Sequence, residues 1–165
     1  MNIIESAEKV TQLMKEYITS EMTPDGLLSD VLTFIPSYRL DEPMDEPCIW
    51  LFEHPTVTAD PKRGKLSHKL YLSTNFEFVC IVYDDDIEAS EILGKNLASR
   101  VLSSIMKHAV KVKNNERIIN DVIFNTLYPA GEVQIEGKSN RTPATSIVVE
   151  VRYYIDWLKC KSPGE

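Results

Sequence analysis

The sequence lacks long hydrophobic runs and an excess of basic side chains. No apolar stretch in its 165 residues approaches the roughly 20 residues that a membrane-spanning helix needs. Met1–Glu5 provide neither the basic nor the apolar part of a leader peptide. Acidic side chains outnumber basic ones 25 to 18, for a net charge of −7. We therefore expect a protein that is neither targeted nor membrane-anchored, and that does not bind nucleic acid or membranes through its net charge.

Cysteine and glycine are scarce and scattered. The three cysteines, Cys48, Cys80 and Cys160, lie far apart and form no C-x-x-C pair. The sequence therefore predicts neither a disulfide framework nor a cysteine zinc site, and a reducing cytosol suits it best. The six glycines occur singly, which excludes the glycine-rich phosphate and dinucleotide loops and the G-x-S-x-G motif of hydrolases. We expect no cofactor.

Histidine offers no candidate metal or catalytic site either. His54, His68 and His108 have no ligand-like spacing and no cysteine nearby. His68 follows Ser67 directly, and adjacent residues of a strand point to opposite faces, so the two do not form a catalytic pair. We expect each histidine to lie on the surface or to be partly packed.

Clustered carboxylates are the remaining candidates for chemistry. Asp84-Asp85-Asp86 precedes a predicted helix, where acidic side chains cap free N–H groups and complement the helix dipole. Consecutive carboxylates cannot all converge on one ion, and the glycine spacing of a calcium loop is absent. Helix capping is therefore the favoured interpretation of this cluster.

A second acidic pattern loosely matches the metal-dependent nucleases. Asp121 is followed by Glu136-Gly137-Lys138, and in those enzymes two carboxylates hold the metal while a lysine polarises the attacking water. The proline that often precedes the motif is absent, and residues 136–140 also form a natural exposed turn. A nuclease is therefore a minor alternative.

Hydrophobic periodicity divides the chain into helices, strands and one acidic segment. Apolar residues at steps of three and four predict two amphipathic helices, and alternating or continuous apolar runs predict strands. Prolines within an acidic stretch predict a stiff surface strap. In chain order the predicted elements are a helix over 3–22, the strap 40–47, strands over 48–54 and 69–83, a helix over 87–108, a strand over 118–128 ended by Pro129-Ala130-Gly131, a possible short strand over 132–136, and a strand over 146–158.

This order of elements predicts an α+β fold. Strands that follow one another through short connections, with helices segregated from them, form a single mostly antiparallel sheet with two helices packed on one face. We expect one domain over 1–165, with the helix and the strap preceding a sheet-helix-sheet core over 48–158. A loop of about a dozen residues between the first two strands is long enough to be functional.

Charge is divided unevenly along the chain. Residues 1–60 carry 12 acidic and 3 basic side chains, whereas residues 61–165 carry 13 and 15. Such asymmetry suits head-to-tail contacts between copies, which close into rings or extend into filaments. A solvated acidic surface is the simpler interpretation. The last strand adds a mixed face that contains Arg152 and Tyr154, residue types that interfaces favour.

Nearly the full chain resembles the tail terminator, or tail completion, proteins of tailed bacteriophages. The resemblance rests on the N-terminal helix, the acidic strap ending in Pro47, the strand Cys48-Ile49-Trp50-Leu51-Phe52, the long loop, the strand over 76–83, the helix over 87–108 and the closing strands. It implies a non-enzymatic subunit of the virion tail, assembled in the host cytoplasm. Copies of it would form a ring, usually of six, that caps the tail tube protein and joins the head-tail connector protein.

The resemblance also suggests where neighbouring copies meet. We expect the basic loop of one copy to dock on the acidic strap of the next, so that charge reversal at Arg63 and Lys65 would weaken assembly. The residues expected in this contact are Lys62, Arg63 and Lys65 of the loop and Asp41, Glu42, Asp45 and Glu46 of the strap. A connector or tube subunit and an interaction module with an unrelated partner remain alternatives, as does the nuclease.

Overall fold

The computed structural model describes residues 3–36, 45–53, 58–59, 69–109 and 119–156. Within these ranges the chain forms two helices and six strands. In chain order they are α1 (Ile3–Thr19), β1 (Thr33–Ile35), β2 (Cys48–Glu53), β3 (Thr58–Ala59), β4 (Lys69–Ile81), α2 (Ile87–Ala109), β5 (Ile119–Val133) and β6 (Thr142–Asp156). The described helices are not long and apolar enough to cross a membrane.

The strands form one sheet in the order β1-β2-β4-β6-β5, with β3 also paired to β4. β1 and β2 are parallel, and the other described pairs are antiparallel. β4 and β6 pair without a register shift from Lys69 and Asp156 to Ile81 and Ala144. The predicted α+β class with a mostly antiparallel sheet is confirmed.

Both helices pack on one face of this sheet, as predicted. Successive strand residues point to opposite faces, so alternate residues of each strand meet the helices on the helix side or face away on what we call the open side. The main core on the helix side includes Val10, Met14, Ile18, Leu97, Val101 and Ile105 of the helices and Ile49, Phe76, Phe78, Val149 and Tyr153 of the strands. The smaller cluster on the open side contains Ile35, Cys48, Trp50, Val79, Ile81, Ile135 and Ala144.

The first helix ends at Thr19, three residues before the predicted end. Beyond it, the amide of Glu21 bonds to the carbonyl of Ile18 at 3.1 Å and the amide of Met22 to that of Thr19 at 3.2 Å. These bonds reach back three residues instead of four. A tighter turn therefore replaces the last predicted turn of α-helix.

A buried carboxylate joins the turn after α1 to α2. The Glu21 side chain is 3% exposed and accepts hydrogen bonds from Lys107 Nζ at 2.6 Å and from the Leu27 amide at 2.9 Å. His108 Nε2 lies 2.8 Å from the same carboxylate, and its ring stacks on Tyr17. The bond from Lys107, and then that from the Leu27 amide, lower the pKa of Glu21 to about 2. His108 is thus a partly packed histidine, as predicted, while His54 and His68 lie outside the described residues.

The segment after Glu21 is tightly wrapped. A Cβ at Gly26 would lie 2.0 Å from the Glu21 carbonyl oxygen, so only glycine fits there. Arg100 of α2 then anchors the segment, because its guanidinium donates to both carboxylate oxygens of Asp30, at 2.5 and 3.1 Å, and to the Leu27 carbonyl at 3.1 Å. The bond from Arg100 lowers the pKa of Asp30.

The acidic cluster before α2 caps the helix, as the sequence predicts. Asp86 Oδ1 accepts from the Glu88 amide at 3.1 Å, which satisfies one of the free N–H groups of the first turn. Asp84 Oδ1 accepts from the Asp86 amide at 2.9 Å and holds the capping residue in place. The observed bounds of α2 agree with the predicted 87–108 to within one residue.

The predicted break at Pro129-Ala130-Gly131 is wrong, because β5 continues to Val133. A register shift between Pro129 and Glu132 accommodates the extra residues, and Gly131 takes a φ of 90°. Proline, which has no N–H, is tolerated at a bulge of an edge strand. The predicted short strand over 132–136 is therefore the end of β5 followed by a turn.

The last strand begins at Thr142, four residues before its predicted start, and residues 157–158 lie outside the described part. Its predicted alternation of buried and outward side chains holds from Val149 to Tyr154, whereas Ser146 and Val148, on the outward side, are buried as well. Buried Ile147, Val149, Val151 and Tyr153 alternate with the partly exposed Glu150 and Arg152 and the exposed Tyr154.

Candidate subunit interface

β5 forms one edge of the sheet and pairs only with β6 among the described strands. Three of its large side chains are substantially exposed: Phe124 at 46%, and Leu127 and Tyr128 at 38% each. A long edge strand with exposed apolar side chains is a place where another chain can bind, unless the protein blocks it. This edge is the candidate functional site.

The exposed side chains of β5 lie on both sides of the sheet. Phe124 and Leu127 pair with Val149 and Ile147 of β6, which are buried under the helices, so both lie on the helix side. We call Phe124 and Leu127 the edge patch. Tyr128 pairs with Ser146 and lies on the open side.

A hydrogen-bond network fixes Tyr128 on the open side. Its hydroxyl donates to Glu77 Oε1, and the Ser146 hydroxyl donates to the same oxygen at 2.7 Å. The bond to Glu77 raises the pKa of Tyr128. The network links β5, β6 and β4 across the sheet and keeps β5 in place.

The backbone of β5 is irregular along its length. Register shifts occur between Ile119 and Asp121, between Phe124 and Thr126, and beyond Pro129. Each shift bends the strand and interrupts its regular row of N–H and C=O groups. Such irregularities disfavour extension of the sheet by another strand, so side chains rather than backbone are the available contact.

The opposite edge of the sheet, at β1, carries a second apolar surface. Leu32, directly before β1, is 67% exposed, and Pro36, directly after it, is also exposed. Phe34 between them packs against the helix-side core. We call Leu32 and Pro36 the front patch. Its backbone is anchored, because the Leu32 amide donates to the Pro47 carbonyl at 2.9 Å.

Four of the predicted interface residues lie in the described part of the chain. Asp45 is exposed, with its backbone bonded to the Thr33 hydroxyl, and Glu46 pairs with Lys138 at 3.6 Å. Arg152 contacts Glu150 at 3.4 Å with 43% of its side chain exposed. The predicted residues outside the described part are Asp41, Glu42, Lys62, Arg63 and Lys65.

The structure does not bring these four residues together within one chain. Tyr154, 36% exposed and 6.0 Å from the ring of Tyr71, lies near Arg152 on the open side, beside the start of β4. Asp45 and Glu46 precede β2, which begins beside the other end of β4. The two pairs could meet only between different copies.

The nuclease pattern does not form a site. Asp121 lies near the start of β5, opposite Arg152, whereas Glu136 lies beyond its far end. At about 3.3 Å per residue, roughly 35 Å of strand separates them, so they cannot share one metal ion. Lys138 contacts Glu46 and lies 4.4 Å from the ring of Tyr83. Among the described residues, no group of three or more His, Cys, Asp or Glu is placed to hold a metal.

The edge and front patches were not predicted from the sequence. The signal available was the alternation of Val122, Phe124 and Thr126 against Ile123 and Asn125, which indicates a strand but not its place in the sheet. The sequence matches no protein-family model, and no curated protein matches it.

Proposed function

We propose that this chain is a non-enzymatic structural protein of a phage virion, a tail terminator. Its copies form a ring that caps the tail tube protein and joins it to the head-tail connector protein. The observation that carries the proposal is the edge of β5, where Phe124 and Leu127 are exposed on a 15-residue strand. Exposed apolar side chains at a sheet edge favour association with another protein surface.

The order of helices and strands supports the choice of a tail terminator among structural proteins. The resemblance to tail terminators rests on a helix, a strap, two strands, a second helix and two closing strands. The two helices and the four long strands occur in that order, with the helices on one face of the sheet. The virion tail is accordingly the proposed location, and the tube and connector proteins are the proposed partners.

The oligomeric state of the purified chain tests the proposal. Light scattering over a concentration series, with negative-stain microscopy of the fractions, should reveal closed, single rings of about six copies, since heterologous contacts with the right rotation close on themselves. If the protein alone stays monomeric, it should bind one end of purified tail tubes and stop their growth.

Two results would contradict the terminator assignment. Rings that stack into long tubes would indicate a tube subunit, the main structural alternative. A protein that neither forms rings nor binds tube ends would remove the virion role and favour an interaction module with an unrelated partner.

A further inference from the structure

We propose that the loop between β5 and β6, residues 134–141, is a lid over the smaller cluster on the open side of the sheet, and that Lys138 is the latch that keeps it closed. We call this loop the lid and the buried residues around Trp50 and Ile81 the open-side cluster. The inference concerns the single chain, so it does not depend on the proposed function.

The lid folds back over the open side of the sheet. Val133 and Thr142 pair at its base, where β5 ends and β6 begins. Ile135, which is 3% exposed, packs into the open-side cluster together with Ala144. Apart from Ile135 and the partly buried Lys138, the residues of the lid are exposed. A single apolar side chain therefore anchors the lid to the sheet.

The second anchor is electrostatic. Lys138 Nζ lies 3.6 Å from Glu46 Oε1, just before β2, and 4.4 Å from the centre of the Tyr83 ring. Both contacts need the positive charge of the ammonium group, because one is an ion pair and the other a cation–π contact. The Tyr83 hydroxyl donates to Asp85 Oδ1 at 2.8 Å and also bonds to Ser139 of the lid. Lys138 thus joins the lid to two separate segments of the chain.

The backbone of the lid is hydrogen-bonded locally. The Lys138 amide donates to the Ile135 carbonyl at 3.1 Å, and Gln134 Nε2 donates to the Lys138 carbonyl at 2.8 Å. These bonds hold the lid in shape and stay intact if it moves away from the sheet as a unit. A segment with local hydrogen bonds and few buried apolar contacts opens at a small free-energy cost.

The strand that leads into the lid is interrupted just before it. Gly131, with a φ of 90°, lies within the register shift between Pro129 and Glu132. Such a bulge breaks the regular pairing and bends the strand, and residues at the ends of elements absorb the motion of a hinge. We place the hinge of the lid there.

Two buried polar atoms oppose the closed state. Trp50 Nε1 and Thr142 Oγ1 are buried without a hydrogen-bond partner among the described residues. Trp50 belongs to the open-side cluster, and Thr142, two residues before Ala144 on β6, lies on the same side at the base of the lid. Burial without a partner is unfavourable, and opening of the lid lets water bond to these atoms. The closed state therefore depends on the anchors at Ile135 and Lys138.

Two cysteines on adjacent strands report whether the lid opens on its own. Cys48 lies in the open-side cluster and Cys80 in the helix-side core, both as free, fully buried thiols. In a Cys160→Ser variant, iodoacetamide should label Cys48 about tenfold faster than Cys80, because the lid exposes the first thiol and only global unfolding exposes the second. Peptide mass spectrometry resolves the two sites, and each rate is divided by that of the same thiol in the urea-unfolded chain.

Substitution of the latch tests the role of Lys138. Lys138→Gln removes both charge-dependent contacts and should raise the Cys48 rate about two- to fivefold, the effect of losing a partly exposed ion pair, with the Cys80 rate unchanged. Tyr83→Leu should act in the same direction and add little to Lys138→Gln, because the two side chains act as a pair. Lys95→Gln, which removes an exposed ion pair of α2 at 2.7 Å, is the matched control and should leave both rates unchanged.

Three results would overturn the inference. Equal normalised rates for Cys48 and Cys80 would show that the open-side cluster is exposed only when the whole protein unfolds, which refutes the lid. A Cys48 rate that Lys138→Gln leaves unchanged refutes the latch. A rise of both rates in that variant rejects the latch as well, since Lys138 would then stabilise the whole fold.

Discussion

Glu21 is a buried charge that bonds to the end of α2. It is 3% exposed, and its two oxygens accept from Lys107 and from the Leu27 amide, so an amide in its place keeps one acceptor, puts a donor where the other was and removes the charge that faces Lys107. We expect Glu21→Gln to lower the free energy of unfolding at neutral pH by about 1–3 kcal/mol, the range for hydrogen bonds to charged groups. Urea denaturation followed by circular dichroism measures this change. Glu8→Gln, at an exposed position of α1, is the matched control and should change stability little.

The same residue should make stability depend on pH in the acid range. The pKa of Glu21 falls from an ordinary 4.5 to about 2 on folding, so the unfolded chain takes up a proton at higher pH than the folded one. Its contribution is therefore present above about pH 4.5 and is lost as the pH falls towards 2. The stability difference between wild type and Glu21→Gln should shrink over that interval; a difference that stays constant down to pH 2 would show that Glu21 does not titrate as inferred.

For some residues of the candidate interface the sequence predicts the side of the sheet on which they lie, and for others it does not. Arg152 and Tyr154 were predicted on the outward face of the last strand because side chains alternate there with period two, and they lie on the open side. Phe124 and Leu127 follow no such simple pattern, since the register shift between Phe124 and Thr126 places both on the same side. A bulge is a property of strand pairing and leaves little trace in the sequence.

Among the elements, α2 depends on a defined N-terminal cap. Replacing Asp86 by alanine removes the acceptor for the Glu88 amide and should lower the free energy of unfolding by about 1 kcal/mol. Asp86→Asn retains a side-chain oxygen at the same position and should cost much less. Thermal or urea unfolding of the two variants measures the difference, and equal losses would mean that charge rather than the hydrogen bond stabilises the helix.

The elements predicted correctly are those whose bounds are marked by residues within the element or directly beside it. α2 combines an acidic cap, a regular apolar stripe and basic residues in its last turn, all visible in the sequence. The sequence predicts that β5 ends at Pro129, because proline ordinarily ends a strand. Among the described strands β5 pairs with β6 alone, and a bulge accommodates the proline. β1 was not predicted, because its three residues are too few to show alternation. Its strand conformation depends on the parallel pairing with β2, which is a long-range contact.

At the scale of the whole molecule, strand order decides which surfaces are free. The sequence predicts a sheet of mostly antiparallel strands, yet that β5 and β1 are its two edges follows only from long-range pairing, such as that of β4 with β6. The sides of the sheet on which Cys48 and Cys80 lie likewise depend on how the strands pair. They face opposite sides of the sheet as free, buried thiols, and burial raises the pKa of Cys48 to about 12.

The free energy of association between copies should have an electrostatic and an apolar contribution that salt can separate. The sequence predicts that Arg63 and Lys65 dock on an acidic neighbour, whereas the edge patch is proposed to associate through apolar side chains. Exposed ion pairs contribute about 0–1 kcal/mol each, so Arg63→Glu with Lys65→Glu should weaken assembly several-fold at about 0.1 M salt. At about 1 M salt, where the screening length falls from about 10 Å to about 3 Å, the double variant should approach the wild type.

Phe124→Glu provides the contrast, because its defect comes mainly from lost apolar contact and a buried charge. Its dissociation constant, measured by sedimentation over the same salt series, should stay at least tenfold above that of the wild type at both ends. A double charge variant that assembles normally at low salt would remove the loop from the interface. Recovery of Phe124→Glu in high salt would mean that its added charge acts at a distance, through repulsion across the interface, and that the edge patch itself is not buried there.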